Sequence, residues 1–184
     1  AEPGFGPALL EHGRALLLLG DAPGAEAALA KALAALPDEA EAHSALGVAL
    51  LAAGKSEQAV VSLTKARDLD PGSAARRGNL GTVLFMRSRV PEAIKEYEVQ
   101  VLLAPEDARA HSDLGTALLA SQEMTRAEAE LRRAIALDPQ RATFRSNLGY
   151  ALQLQGKLRE AVTEYREALR LDPITRYEQL SGAE

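Results

Sequence analysis
Apolar residues recur at spacings of three and four through RSNLGYALQLQGKLREAVTEYREALRLDP, residues 145–173. They fall in two segments, separated by a Gly-Lys break and stopped by Pro173. That spacing predicts two amphipathic helices, and the proline marks where the second ends. Residues 111–139, HSDLGTALLASQEMTRAEAELRRAIALDP, repeat the pattern. Prolines stand at 37, 71, 105, 139 and 173, each 34 residues after the last. Gly13, Gly47, Gly81, Gly115 and Gly149 keep the same register, as do Leu16, Leu50, Leu84, Leu118 and Leu152, and Ala25, Ala59, Ala93, Ala127 and Ala161. A fixed period of this length signals stacked supersecondary units, none of which can bury its apolar face alone. Five units are predicted, at 6–39, 40–73, 74–107, 108–141 and 142–175, after a short extension at 1–5. Residues 176–184 would be a partial capping helix or a tail.

The columns resemble the tetratricopeptide repeat (TPR), a 34-residue helix–turn–helix. Its Leu-Gly pair is matched by Leu46-Gly47, Leu80-Gly81, Leu114-Gly115 and Leu148-Gly149, and its later aromatic by Tyr97 and Tyr165, with Leu29, Leu63 and Leu131 elsewhere. The next alanine column is Ala32, Ala66, Ala134 and Ala168, broken by Gln100. The family's early tryptophan is replaced by Leu9, His43, Arg77, His111 and Arg145. The resemblance covers about 170 residues. It implies an all-α fold, a right-handed α-solenoid of antiparallel helix pairs, and a role in binding proteins.

Glycine inside a helix costs about 1 kcal/mol against alanine, so five such positions cost roughly 5 kcal/mol, the low end of a domain's stability. Close approach of the second helix is the expected offset, with Ala161 facing Gly149. Pro91 differs from the repeat prolines, since at a helix start its missing N–H costs nothing.

Positions −6, −3, −2, +1 and +5 from the repeat glycine share one face of each first helix, the face expected to line a groove. The leucines at −1 and +3 should face the core. Candidate ligand-binding residues on the groove are Val48, Asn79, Thr82, Phe85, Met86, Arg109, Asp113, Thr116, Asn147 and Tyr150. Met86 is an adaptable apolar contact. Asn79, Asp113 and Asn147 form a polar ladder of the kind that, in TPR proteins, hydrogen-bonds the backbone of an extended peptide. The basic clamp with which some TPR domains grip acidic chaperone C-termini is missing, because its first slot holds Leu10, Ser44, Gly78, Ser112 and Ser146. Arg76, Arg77, Arg109 and Arg145 cluster near helix starts and could form a cationic lip for a carboxylate.

Composition narrows the function. The 184 residues include no cysteine and no tryptophan, and aromatics make up 4%. Alanine and leucine must therefore supply the apolar surface, and no disulfide or cysteine zinc site is available. The net charge of −5 argues against a nucleic-acid partner. No apolar run approaches the ~18 residues of a membrane span. Arginine-over-lysine usage and alanine richness suggest a GC-rich bacterial genome; no compartment, cytoplasmic or periplasmic, is assigned. His43 and His111, two repeats apart, are too far separated for one zinc ion. His12 stands in a leucine core column, where a packed or edge residue is expected. No nucleophile–base pair or phosphate loop is present, so no catalytic, cofactor or metal site is expected.

These observations lead to a non-enzymatic scaffold that holds a partner peptide or helix in its groove. The alternatives are a TPR arm of a larger enzyme that recruits its substrate, or a self-assembling structural protein. The second follows from the chain's end, where Tyr177 and Leu180 would only partly cover the last helix near Val162 and Leu169. That leaves surface for end-to-end contact, either with another copy or with further chain.

Overall fold
The protein is described here by a computed structural model, which describes residues 5–172. Among these residues there are ten α-helices and no strand. The first helices of the repeats are α1 (Phe5–Leu18), α3 (Ala40–Ala52), α5 (Ala74–Met86), α7 (Ala108–Ala120) and α9 (Ala142–Leu154). The second helices are α2 (Ala22–Ala35), α4 (Ser56–Leu69), α6 (Val90–Leu103), α8 (Met124–Leu137) and α10 (Leu158–Leu171). The expectations for Pro173, Tyr177, Leu180 and the rest of 176–184, and for most of the 1–5 extension, lie outside the described residues.

Each first helix turns into its second helix through one residue in the left-handed region: Gly20, Gly54, Ser88, Gln122 and Gly156, with φ between 59° and 79°. The amide of that residue bonds three residues back and the next amide five back, as in Gly54 N to Leu51 O at 3.0 Å and Lys55 N to Leu50 O at 2.8 Å. This double bond closes the last helical turn and satisfies two otherwise orphaned carbonyls. The Gly-Lys break of the last repeat is legible in the sequence but the column is not, because Ser88 and Gln122 interrupt it. Between repeats, side-chain oxygens cap the next helix: Asp107 Oδ1 accepts from Arg109 N at 2.9 Å, and Ser73 Oγ from Arg76 N at 3.4 Å.

The chain divides into two compact units, one holding α1–α6 and ending at Leu103, the other α7–α10 and starting at Ala104. In each, the two helices of a repeat pack together and the second helix packs on the first helix of the following repeat. The core is built of leucine set among alanine. In the first unit Leu10, Ala25, Leu29, Ala32, Ala42, Ala45 and Ala49 form one cluster.

The repeat glycines are needed for close approach, but the nearest approaching group is a large side chain; the expected alanine column comes close at Gly115, where Ala127 O would lie 3.3 Å from a Cβ. A Cβ on Gly149 would lie 2.8 Å from Tyr165 Cε1, and one on Gly115 2.7 Å from Leu131 Cγ. Gly13, Gly47 and Gly81 meet Leu29, Leu63 and Tyr97 in the same way. The missing side chain makes room for the large residue 16 positions later, which Ala161 and its equivalents, four residues before it, leave free to reach across. The third repeat repeats the exchange one turn earlier. Gly78 replaces the serine of the neighbouring repeats, and Gln100, in place of alanine, fills the space, with Nε2 2.7 Å from where a Gly78 Cβ would be. Gln100 is buried and its Oε1 has no hydrogen-bond partner.

Candidate functional site
In the first unit, α1, α3 and α5 lie side by side and form a groove of about 450 Å³. Arg14, Leu17, Leu18, Glu41, Ser44, Ala45, Val48, Ala52 and Asn79 line it. Its wall is apolar: Leu18 is 91% exposed and Val48 37%. Met86, 62% exposed, lies on the same helix face as Thr82, which is also exposed. Phe85 is half-buried, in the column where Leu17 packs against the core. Thr82 Oγ1 donates to Gly78 O at 2.9 Å and accepts from Tyr97 OH at 3.3 Å, so its hydroxyl also steadies α5 on α6. In the second unit, Arg109 and Tyr150 are exposed on α7 and α9, while Asp113, Thr116 and Asn147 are half-buried.

The structure changes the reading of one column. Position −3 does not face open solvent in the middle repeats: Ser44 is 7% exposed and Ser112 5%. Each is covered by the polar ladder. Asn79 Nδ2 donates to Ser44 Oγ at 3.3 Å, and Asn147 Nδ2 to Ser112 Oγ at 3.4 Å and Thr116 Oγ1 at 3.3 Å. The asparagines therefore tie consecutive first helices together, and their hydrogen bonds hold the floor of the groove in place. Helical periodicity gives the face of a side chain but not how closely the next repeat covers it.

Asp113 stands in the same ladder column, with no asparagine's neutrality. Burial pushes its carboxyl up to about 6; the nearby Arg109 guanidinium works against that shift and the Asp107 charge adds to it.

Three of the four arginines of the expected cationic lip are held in ion pairs. Arg77 Nη1 pairs with Glu96 at 2.7 Å and Arg145 Nη1 with Glu164 at 3.0 Å. Arg76 reaches Asp70 at 2.8 Å and Glu41 at 3.3 Å. Glu96 is buried between Arg77 and Arg67, the latter at 2.6 Å from the preceding repeat. A rule emerges at the slot where the family carries tryptophan. Its occupant pairs with the residue 19 positions later: Arg77 with Glu96, His111 with Glu130 at 2.6 Å, Arg145 with Glu164. The corresponding pairs in the first two repeats are Leu9 with Ala28 and His43 with Ser62. Ion pairs and hydrogen bonds fill the place of an indole, and this covariation was readable in the sequence. The two histidines also bond the proline carbonyl six residues back, His43 Nε2 to Pro37 O at 2.8 Å and His111 Nε2 to Pro105 O at 3.0 Å. His12, by contrast, is exposed and not packed.

Among the described residues no three His, Cys, Asp or Glu side chains gather as a metal site would need, and no helix is long and apolar enough to cross a membrane.

Repeated antiparallel helix pairs with a glycine-relieved contact and a left-handed turn define a helical-repeat protein. The Tetratricopeptide repeat family models match residues 10–74, 99–142 and 112–174, and 50–115. The chain belongs to the tetratricopeptide repeat family. No curated protein sequence gives a significant match. Among solved structures it is similar to MamA, at 27% identity and a TM-score of 0.80, over 92% of this chain and 96% of that one. PilF of Pseudomonas aeruginosa aligns at 23% identity and a TM-score of 0.82, over 92% and 77% of the two chains. YrrB, described as a TPR protein with an unusual peptide-binding site, aligns at 19% and 0.77, over 94% and 90%.

Proposed function
We propose that this protein is a non-catalytic scaffold that holds a segment of a partner protein on the face of its first helices. The observation that carries this reading is the groove of the first unit. It joins exposed apolar side chains, Leu18 and Val48, to the polar groups Asn79 and Ser44 at its floor and the charges of Arg14 and Glu41 at its rim. An apolar wall with a few fixed polar groups suits a peptide or an amphipathic helix, whose side chains supply affinity and whose polar atoms set register. Met86 extends the apolar wall along α5. Thr116, Asn147 and Tyr150, with Arg109 and Asp113, are the corresponding contacts on the second unit. The peptide-binding site named for YrrB is consistent with this use of the fold.

A random peptide library panned against the immobilised chain tests the reading. Peptides selected on the wild type should lose at least tenfold in affinity for Val48→Glu and for Met86→Glu, with helical circular dichroism unchanged. Both positions are exposed, so the substitutions leave the core intact. Selected peptides that bind both variants as well as the wild type would overturn the groove as the site.

A further inference from the structure
We infer that the two ends of the repeat array form complementary halves of one joint, and that copies of this chain associate head to tail, α10 of one on α1 of the next. The evidence is the joint already present inside each unit, where a second helix packs on the first helix of the following repeat: α2 on α3, α4 on α5, α8 on α9. On the receiving helix the joint uses the columns five before and two after the repeat glycine. Ala49, Val83 and Ala151 in the later column are 0% exposed, as is Ala42 in the earlier one. The same columns in α1 hold Ala8 and Ala15, and both are exposed. With His12 on α1 and Leu19 (81% exposed) just past its end, they fall at spacings of four, three and four, on one continuous face.

The donating helix shows the reciprocal feature. Its columns nine, thirteen and twenty after the glycine are at least half-buried in α2 (Ala22, Glu26, Leu33) and in α8 (Met124, Glu128, Ile135). In α10 they are Leu158, Val162 and Leu169, exposed by 60%, 47% and 57%. With Tyr165 they repeat the spacing of four, three and four. Beside them Ala142, Thr143, Ser146, Tyr165, Ala168, Leu169 and Asp172 line a seat of about 510 Å³. Ser146 is exposed there, whereas Ser44 and Ser112 are covered by the next repeat's asparagine. Glu11, exposed on α1, stands in that asparagine's column and would meet Ser146 as an acceptor. Charge agrees in sign: residues 6–39 hold two basic and five acidic side chains, and 142–175 hold five and four. A joint between unlike faces leaves one free half at each end of a dimer, so further copies add, into an open chain or, where the rotation closes, a ring.

Sedimentation velocity across concentration tests this with two variants, Ala15→Glu on the receiving face and Leu169→Glu on the donating face. Both sites are exposed, so each monomer should keep its helical circular dichroism. The wild type should grow with concentration past the dimer, and each variant alone should stay monomeric. An equimolar mixture of the two should form a dimer and grow no further, because one intact joint remains. Dimers of Leu169→Glu alone would assign α1 to pairing with its own copy and overturn the inference. So would a wild type that stays monomeric, or one that associates only after residues 174–184 are removed, since that segment would then be the occupant of the seat.

Discussion

Asp113 sets a residue-scale cost that two of its neighbours in the column avoid. Asn79 and Asn147 are neutral and donate to serines of the preceding repeat, whereas Asp113 is ionisable and the matching position of its preceding repeat is Gly78, which has no hydroxyl. The Asp113 pKa in the folded chain, about 6, lies above the ordinary 3.8, so the folded state binds the proton more tightly than the unfolded one. The stability it contributes is full below about pH 4 and is lost as the pH rises through 6, on the order of 1–3 kcal/mol. Asp113→Asn should therefore raise the thermal midpoint at pH 7.5 and leave it unchanged near pH 4. Thermal melts of both proteins across that range check it, and a gain that is constant with pH would mean that charge is not the cause. The residue scale also shows where sequence reading reached and where it stopped. The glycine column announced a close approach, but the nearest partner is not the alanine: Tyr165 and Leu131 lie a turn beyond it, and only at Gly115 does the alanine backbone, Ala127 O, also come close.

At the scale of the element, the turn between the two helices of a repeat is the least uniform part of the design. Three repeats place glycine at the left-handed position, while Ser88 and Gln122 hold φ of 59° and 63° there. A residue with a Cβ pays for that conformation and glycine does not. Ser88→Gly and Gln122→Gly should each stabilise by about 0.5–1 kcal/mol, read as a shift in the urea midpoint with an unchanged slope. The pairing of two helices in each repeat was legible because it rests on local spacing. The tryptophan slot was harder to read, since its occupants range from leucine to histidine to arginine. Only the partner 19 residues later makes sense of them, as with Arg77 and Glu96. Groove residues such as Val48, Met86 and Tyr150 were placed on an exposed face by periodicity alone. Ser44 and Ser112 were placed there too, but they are buried, because the asparagine of the next repeat covers each.

At the scale of the whole molecule, stability in such an array is close to a sum over repeats and the joints between them. The unit ending at Leu103 has three repeats and two joints; the unit from Ala104 has two repeats and one joint. About three repeats are needed for independent stability. Residues 1–103 expressed alone should fold and unfold cooperatively, while 104–184 alone should show a lower urea midpoint and reduced helicity at 25 °C. Circular dichroism of the two fragments decides it; equal midpoints would show that repeat number does not govern stability here.

The tyrosines packed against the repeat glycines have an optical consequence. The chain has no tryptophan to absorb energy from tyrosine, so tyrosine emission is its native fluorescence. Of the four tyrosines only Tyr97 falls before residue 104, and it is buried against Gly81 with its hydroxyl on Thr82. Tyr97→Phe should silence the signal of the first three repeats and leave that of Tyr150, Tyr165 and Tyr177. The wild type and this variant together then resolve when each half of the array comes apart, with no dye attached.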